Sequence, residues 1–369
     1  MTVLLSDSQQ TLTDGLCSIL DAFLTRADYA RGIFIKPNIV FPVRPESGEI
    51  TPPTLVRLLI AALRARNSSV DIVLGEGVAA GCDPYENFRV SGFADLAREL
   101  DVPLLDLNCM EHRQVAWKFG KLDLRWIALE RTYINLPILK PSSACVISGA
   151  LKNQKGLVLP DIKKKFHCQG LHAQIAELNA VVKPALTIVD GSRFFGRRVL
   201  ISGDNCGEID ATLCNLLGIN EPEHVKLSRQ AGVFAPGYRI EGHLAPSKRA
   251  SSQLKIREFK RLGRLRLWSN SRACTMCRYL FHEVKQDALN PRDLRAKARL
   301  FAHSVKGAEI VIGSHPQWRR QYGTVICVGN CTRRVAKEGG YTFVPGCPPT
   351  LQDLYDSLLR KERLENPGE

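Results

Sequence analysis

Five cysteines lie close together late in the chain: Cys274, Cys277, Cys327, Cys331 and Cys347. Cys274-Thr275-Met276-Cys277 is a C-x2-C pair, whose short loop lets two thiolates grip one centre while later loops supply the remaining corners. Four thiolates suit zinc or an iron–sulfur cluster equally well by geometry. A zinc ribbon would need a second C-x2-C pair, and Cys327-Val328-Gly329-Asn330-Cys331 is not one. Cys327 follows the apolar run Thr324-Val325-Ile326 and reads as a core thiol or a spare ligand. The expected ligand set is therefore Cys274, Cys277, Cys331 and Cys347. Buried structural cysteines are the plainer alternative, since free Cys is among the most buried residue types.

A second group is basic. From Lys140 to Lys165 the lysines are Lys140, Lys152, Lys155, Lys163, Lys164 and Lys165, opposed only by Asp161, with Asn153 and Gly156 among them. Lysine supplies a mobile point charge, and a glycine lets backbone N–H groups approach an anion. A carboxylate or phosphate site follows for Lys140, Lys152 and Asn153. For Lys163–Lys165 a solvated loop is the expectation. His167-Cys168 and His172 offer metal ligands, but positions i and i+5 do not share a helix face. The two histidines read better as proton-transfer or anion-contact groups. Gly75-Glu76-Gly77 with Gly81 imitates a dinucleotide loop, but its third glycine comes one residue late and no helix opens inside it.

The elements that would position these groups alternate between strand and helix. Leu16, Ile19, Leu20, Phe23 and Leu24 recur with helical spacing behind Thr13-Asp14. Gly32-Ile33-Phe34-Ile35 reads as a buried strand stopping at Lys36-Pro37-Asn38, and Pro52-Pro53 opens the next helix. Val70–Leu74, Val102–Leu105, Tyr133–Leu139, Leu186–Asp190 and Val199–Ser202 are further strands, and Glu208–Leu217 is a helix with Gly218 as its stop. The pattern predicts an α/β protein with a mostly parallel, covered sheet. In such folds ligands sit beyond the carboxyl ends of the strands, where Lys36, Asn38, Glu76, Lys140 and Asp190 fall.

The chain of 369 residues, 41.0 kDa, calls for more than one domain. With 44% hydrophobic and 24% charged residues, its composition excludes disordered and fibrous classes. Fifty-one Lys and Arg against 37 Asp and Glu leave +14, which predicts an anionic partner or substrate. No apolar run reaches the length of a spanning helix, and the first basic residue is Arg26, so no secretory signal is expected. Twelve cysteines then read as thiols or metal ligands in a cytoplasmic protein. Between Ser247 and Trp268, eight Lys and Arg face only Glu258. The expected organisation is a ligand-binding α/β domain over 1–246, a basic connector over 247–270 and a smaller cysteine-rich α/β domain over 271–369.

Several short segments come in one order: Ile35-Lys36-Pro37-Asn38, Gly75-Glu76-Gly77, Ala150-Leu151-Lys152-Asn153-Gln154-Lys155-Gly156, Phe166-His167, Gly170-Leu171-His172, Leu178-Asn179, Val189-Asp190-Gly191 and Ile209-Asp210-Ala211. This ordered set resembles the domain-of-unknown-function 362 family of bacteria and archaea. The resemblance implies an α/β domain often joined to iron–sulfur modules, without a settled reaction. Two departures stand out. Ile138-Leu139-Lys140-Pro141-Ser142 lacks the histidine usual after the family's Pro-x-Leu, and Ser192-Arg193-Phe194-Phe195-Gly196-Arg197-Arg198 puts arginines where acidic groups are usual. Pro345-Gly346-Cys347-Pro348-Pro349 is similar to the last ligand loop in small subunits of nickel–iron hydrogenases and respiratory complex I. That similarity tips the thiolate set toward one [4Fe-4S] cluster, with zinc as the alternative.

These readings predict an iron–sulfur redox protein, either an oxidoreductase or an electron-transfer module with a redox partner protein. A small anionic molecule would bind at Lys36, Asn38, Lys140, Lys152, Asn153 and Asp190, and Glu76, His167 and His172 would move protons. The alternative is a zinc-stabilised protein that lays residues 248–266 on nucleic acid or an acidic membrane surface. Leu254, Phe259, Leu262, Leu265 and Trp268 alternate there with the cations, as in interfacial helices.

Overall fold

Within the short apolar runs, successive side chains turn to opposite faces and both faces are apolar. Ile33 and Ile35 pack in one core with Ile72, Leu74, Ile134 and Leu136, whereas Phe34 packs in the other with Val73 and Tyr133. A strand buried on both sides needs helices above and below, the condition under which parallel sheets occur. The computed structural model describes residues 2–7, 12–79, 82–142, 144–254, 261–269, 305–313 and 320–359, together with Cys277, Leu280, Ala298, Ala302 and His303. The chain divides into two compact units, residues 1–256 and 257–369.

The first unit is built on an eight-stranded sheet in the order Arg239–Glu241, Thr2–Asp7, Val199–Gly203, Leu186–Asp190, Thr132–Leu136, Ile33–Pro37, Ile72–Glu76 and Leu104–Asp106. The last five strands in that order are mutually parallel. Val199–Gly203 runs antiparallel to both its neighbours. Helices Leu12–Phe23 and Pro53–Arg66 cover one face with Leu16, Ile19, Leu20, Leu59 and Leu63. Helices Leu171–Val181 and Cys206–Leu217 cover the other with Ile175, Leu178, Ile209 and Leu213. The Asn205 side chain caps the Cys206–Leu217 helix by accepting from the Gly207 and Glu208 amides. Gly218, at a φ of 64°, ends that helix in the left-handed region that glycine enters freely. Among the described residues no helix is long and apolar enough to cross a membrane.

Some elements differ from their sequence reading. Gly75 and Glu76 belong to the strand rather than to a loop, because Glu76 pairs in register with Asp106. The Thr132–Leu136 strand stops before Pro137, which lacks the amide a ladder needs. An antiparallel hairpin of His112–Trp117 and Gly120–Arg125 has no counterpart in the reading. Its first strand is mostly exposed and lacks an apolar period.

The second unit holds a five-stranded sheet ordered Arg261–Leu262, Leu265–Ser269, Ala308–Ile312, Thr324–Val328 and Thr342–Val344. After the opening antiparallel hairpin all pairings are parallel, and the Arg333–Gly339 helix crosses between the last two strands. The basic run predicts a connector up to residue 270, laid on nucleic acid or an acidic membrane surface in the alternative reading. Instead, its portion 261–269 forms the edge hairpin of this sheet. Arg264 and Arg266 stack over the ring of Tyr322 at 5.5 and 5.6 Å, and the Trp268 indole donates to the buried Glu309. Residues 255–260 of the run lie outside the described residues, as does Cys274.

Candidate functional site

The parallel strands Ile33–Pro37, Ile72–Glu76, Thr132–Leu136 and Leu186–Asp190 deliver their carboxyl ends to one edge of the sheet, and a buried polar ensemble collects there. The Lys36 ammonium lies 2.8 Å from Glu76 Oε1, and both side chains are 1% exposed. Lys36 Nζ also donates to Asn153 Oδ1 at 3.2 Å and to the Pro37 carbonyl. Asn38 Nδ2 donates to the same Asn153 oxygen at 2.9 Å, and Lys140 Nζ donates to Asn38 Oδ1 at 2.9 Å and to the Glu49 carbonyl. Asn153 Nδ2 donates onward to Asn135 Oδ1. Glu76 further accepts from the Ile39 and Gly77 amides. Lys36, Asn38, Glu76, Lys140 and Asn153 are thus joined in one hydrogen-bonded group.

Lys163, read from the sequence as part of a solvated loop, is buried instead. Its ammonium donates to the Gly77 and Val78 carbonyls and to Asn108 Oδ1, tying the Pro160–Gln169 helix to the loop after the Ile72–Glu76 strand. Burial lowers the pKa of Lys163 to about 7 and that of Lys140 to about 8. Lys36 also moves down through burial, opposed by the attraction of Glu76. Lysines titrating this close to neutrality can exchange protons or hold an anion.

The glycines of the motifs are there for space. A Cβ on Gly156 would sit 2.3 Å from Glu76 Oε1 and 2.4 Å from Lys36 Cε. One on Gly77 would strike the Gly156 carbonyl, and one on Gly149 would strike the Asp210 carboxylate. Asp210 accepts from the Ala150 and Leu151 amides and so fixes the start of the Ala150–Asn153 turn of helix. Burial raises its carboxyl pKa to about 7.

Other expected site residues stand apart from this ensemble. Lys152 Nζ donates to Ser142 Oγ at 2.7 Å. Asp190 Oδ1 accepts from the Ser192 amide at the start of the short Ser192–Phe195 helix. His167 is on the Pro160–Gln169 helix, and its side chain lies outside the described residues.

His172 joins a set that the sequence did not reveal. One ligand atom from each of Cys145, His172 and His224 comes within 4.8 Å of the other two, so this group can hold a metal ion. Cys145 and His224 are buried, and burial lowers the His224 pKa to about 3, which keeps its imidazole neutral. The three residues come from separate elements, and their approach depends on the packing of two helices. The sequence offers only the scattered residue types as a signal.

In the second unit Gly329 follows the Thr324–Val328 strand with a φ of 91°. A Cβ there would lie 3.3 Å from Cys277 Sγ, 3.6 Å from Cys331 Sγ and 3.8 Å from the Gly346 carbonyl. The Asn330 amide donates to that carbonyl, and Asn330 Oδ1 accepts from the Gly346 amide, so the loops bearing Cys331 and Cys347 are bound together. Cys327 lies within the strand, packed with Val311, Val325 and Ala336, and burial pushes its pKa up to about 12. The cysteines whose side chains are described are thiols, with no disulfide among them.

Residues 33–214 match the family described as "Domain of unknown function (DUF362)". No curated protein matches the chain by sequence. Two solved structures are similar to it. One is the lactate racemase apoprotein from Thermoanaerobacterium thermosaccharolyticum, 15% identical with a TM-score of 0.41; the match covers 58% of this chain and 56% of that one. The other is a protein from Thermotoga maritima, 11% identical with a TM-score of 0.41 and 91% of each chain covered.

Proposed function

We propose, from the match of residues 33–214 to the DUF362 family, that this is a cytoplasmic iron–sulfur redox protein acting with a small anionic ligand. The observation that supports this most is Gly329, a residue without a side chain lodged between the thiols of Cys277 and Cys331. A Cβ there would press on Cys277 Sγ at 3.3 Å and touch Cys331 Sγ at 3.6 Å. The Asn330–Gly346 hydrogen bonds hold the loop that carries Cys347 to the one that carries Cys331, and Cys347 with Cys274, outside the described residues, would complete four thiolates. Thiolate sets of this kind hold [4Fe-4S] clusters, whose chemistry is one-electron transfer, and they also suit zinc. Cys327 is not needed, since it packs on the other face of the sheet from Cys277.

The lysines of the first unit support the anionic ligand. Lys140 donates to Asn38 Oδ1 and to the Glu49 carbonyl, two of the three bonds an ammonium can give, so a third N–H can meet an anion, whereas all three of Lys163 are taken within the fold. Purification without oxygen tests the redox reading. Expected are about four irons per chain and a broad visible absorbance that bleaches with dithionite. Cys347→Ser should lower the iron content while Cys109→Ser, in the first unit, leaves it unchanged. Stoichiometric zinc without iron would refute the cluster.

A further inference from the structure

The Cys145 turn is strained in a way its local sequence does not require. Cys145 links the paired strands Lys140–Ser142 and Val146–Ser148. The Ile147 amide donates to the Cys145 carbonyl at 2.7 Å across Val146, which has a φ of 64°. This three-residue turn is the rare, strained hand, and a β-branched residue is poorly suited to a positive φ. Val146 itself is half exposed, while the Cys145 side chain is carried inward to 1% exposure. Strain of this kind persists where surrounding structure enforces it, often at ligand sites.

The turn brings the thiol to two imidazoles. His172 lies in the first turn of the Leu171–Val181 helix and His224 in the first turn of Glu223–Gln230. Their ring centroids are 5.8 Å apart. Neither nitrogen of the fully buried His224 has a hydrogen-bond partner, nor does Nδ1 of His172. A buried polar atom left unsatisfied costs about 1–3 kcal/mol, and one nitrogen of each imidazole lies within 4.8 Å of the Cys145 thiol. The remaining nitrogen, His172 Nε2, faces the Glu223 carboxylate at 3.6 Å. Metal-binding histidines are usually held this way, with one nitrogen on a carboxylate and the other on the ion.

We infer that Cys145, His172 and His224 form a second metal site, separate from the cysteines of residues 257–369, that takes a borderline divalent transition ion of the zinc class. One sulfur and two imidazoles suit such an ion and not the hard, oxygen-seeking cations. Zinc sits about 2.0–2.3 Å from these donors, so the three need only draw inward slightly. Three protein ligands leave a fourth position for water or a ligand. Lys152, bonded to Ser142 Oγ, exerts its charge on both imidazoles, so an anion is the favoured group at that position.

Cobalt(II) serves as the probe, because it replaces zinc and shows visible bands when held tetrahedrally by thiolate and imidazole. The full chain is used with Cys331→Ser and Cys347→Ser, which remove two of the four thiolates expected to hold the cluster. That background separates this inference from the cluster proposal, whose failure would leave the result unchanged. About one cobalt per chain is expected, displaced by zinc. His172→Asn, at a partly buried position, should abolish the bands while the apo protein still melts cooperatively. Glu223→Gln should weaken cobalt binding roughly 10–100-fold. No tetrahedral cobalt spectrum, or one unchanged in His172→Asn, overturns the site.

Discussion

Lys36 and Glu76 are a buried ion pair, each also hydrogen-bonded to neighbouring polar groups. Such a pair is weak evidence of net stabilisation, but removing one partner leaves an uncompensated charge in a low dielectric. Glu76→Gln is therefore expected to lower stability by about 3–5 kcal/mol in urea unfolding, because Lys36 loses its counter-charge. Gly156→Ala tests the same group by volume. Its methyl would meet Glu76 and Lys36, neither of which has solvent to swing into, so a loss of about 1–3 kcal/mol is expected. A Gly156→Ala protein as stable as the parent would show that the ensemble is far looser than its hydrogen bonds imply.

The Pro160–Gln169 helix is anchored at its middle by Lys163, whose three acceptors belong to the loops near Gly77 and Asn108. Its pKa is about 7 in the fold against 10.5 when exposed. Between those values the unfolded chain holds a proton that the native chain has shed, so stability rises with pH across that window and levels off above it. Lys163→Met should flatten this rise, measured as urea midpoints from pH 7 to about pH 10; an unchanged slope would remove Lys163 as its source. Much at this scale was legible beforehand. The Leu12–Phe23 helix, the Ile33–Pro37 and Leu186–Asp190 strands and the Gly218 stop all follow from apolar period and end signals. Lys36, Asn38, Glu76, Lys140 and Asn153 could be placed near one another because strand ends converge. That they bond to each other could not be read, since it depends on side-chain directions across the crevice. The antiparallel sense of Val199–Gly203 was equally hidden, because partners far away in the chain decide it. Cys145 and His224 escaped notice for the same reason: helices Leu171–Val181 and Glu223–Gln230 must pack before His172 meets either.

The whole molecule divides at Ile256/Arg257, and each unit has apolar cores of its own. A fragment of residues 1–256 is expected to fold alone and bind the cobalt probe, shown by a cooperative melt and the visible bands. Failure to melt cooperatively would mean that the first unit depends on the second. The sheet of that unit also constrains how the protein is made. Thr2–Asp7 pairs with Val199–Gly203 on one side and Arg239–Glu241 on the other, so it is synthesised long before either partner. While the ribosome works through the intervening residues, Leu186–Asp190 emerges with one edge open until Val199–Gly203 arrives to pair with it. An apolar strand with an unpaired edge is a template for aggregation. Translational pausing between Asp190 and Gly203 would therefore prolong the exposure of that edge, at a stage where a nascent-chain chaperone can cover it.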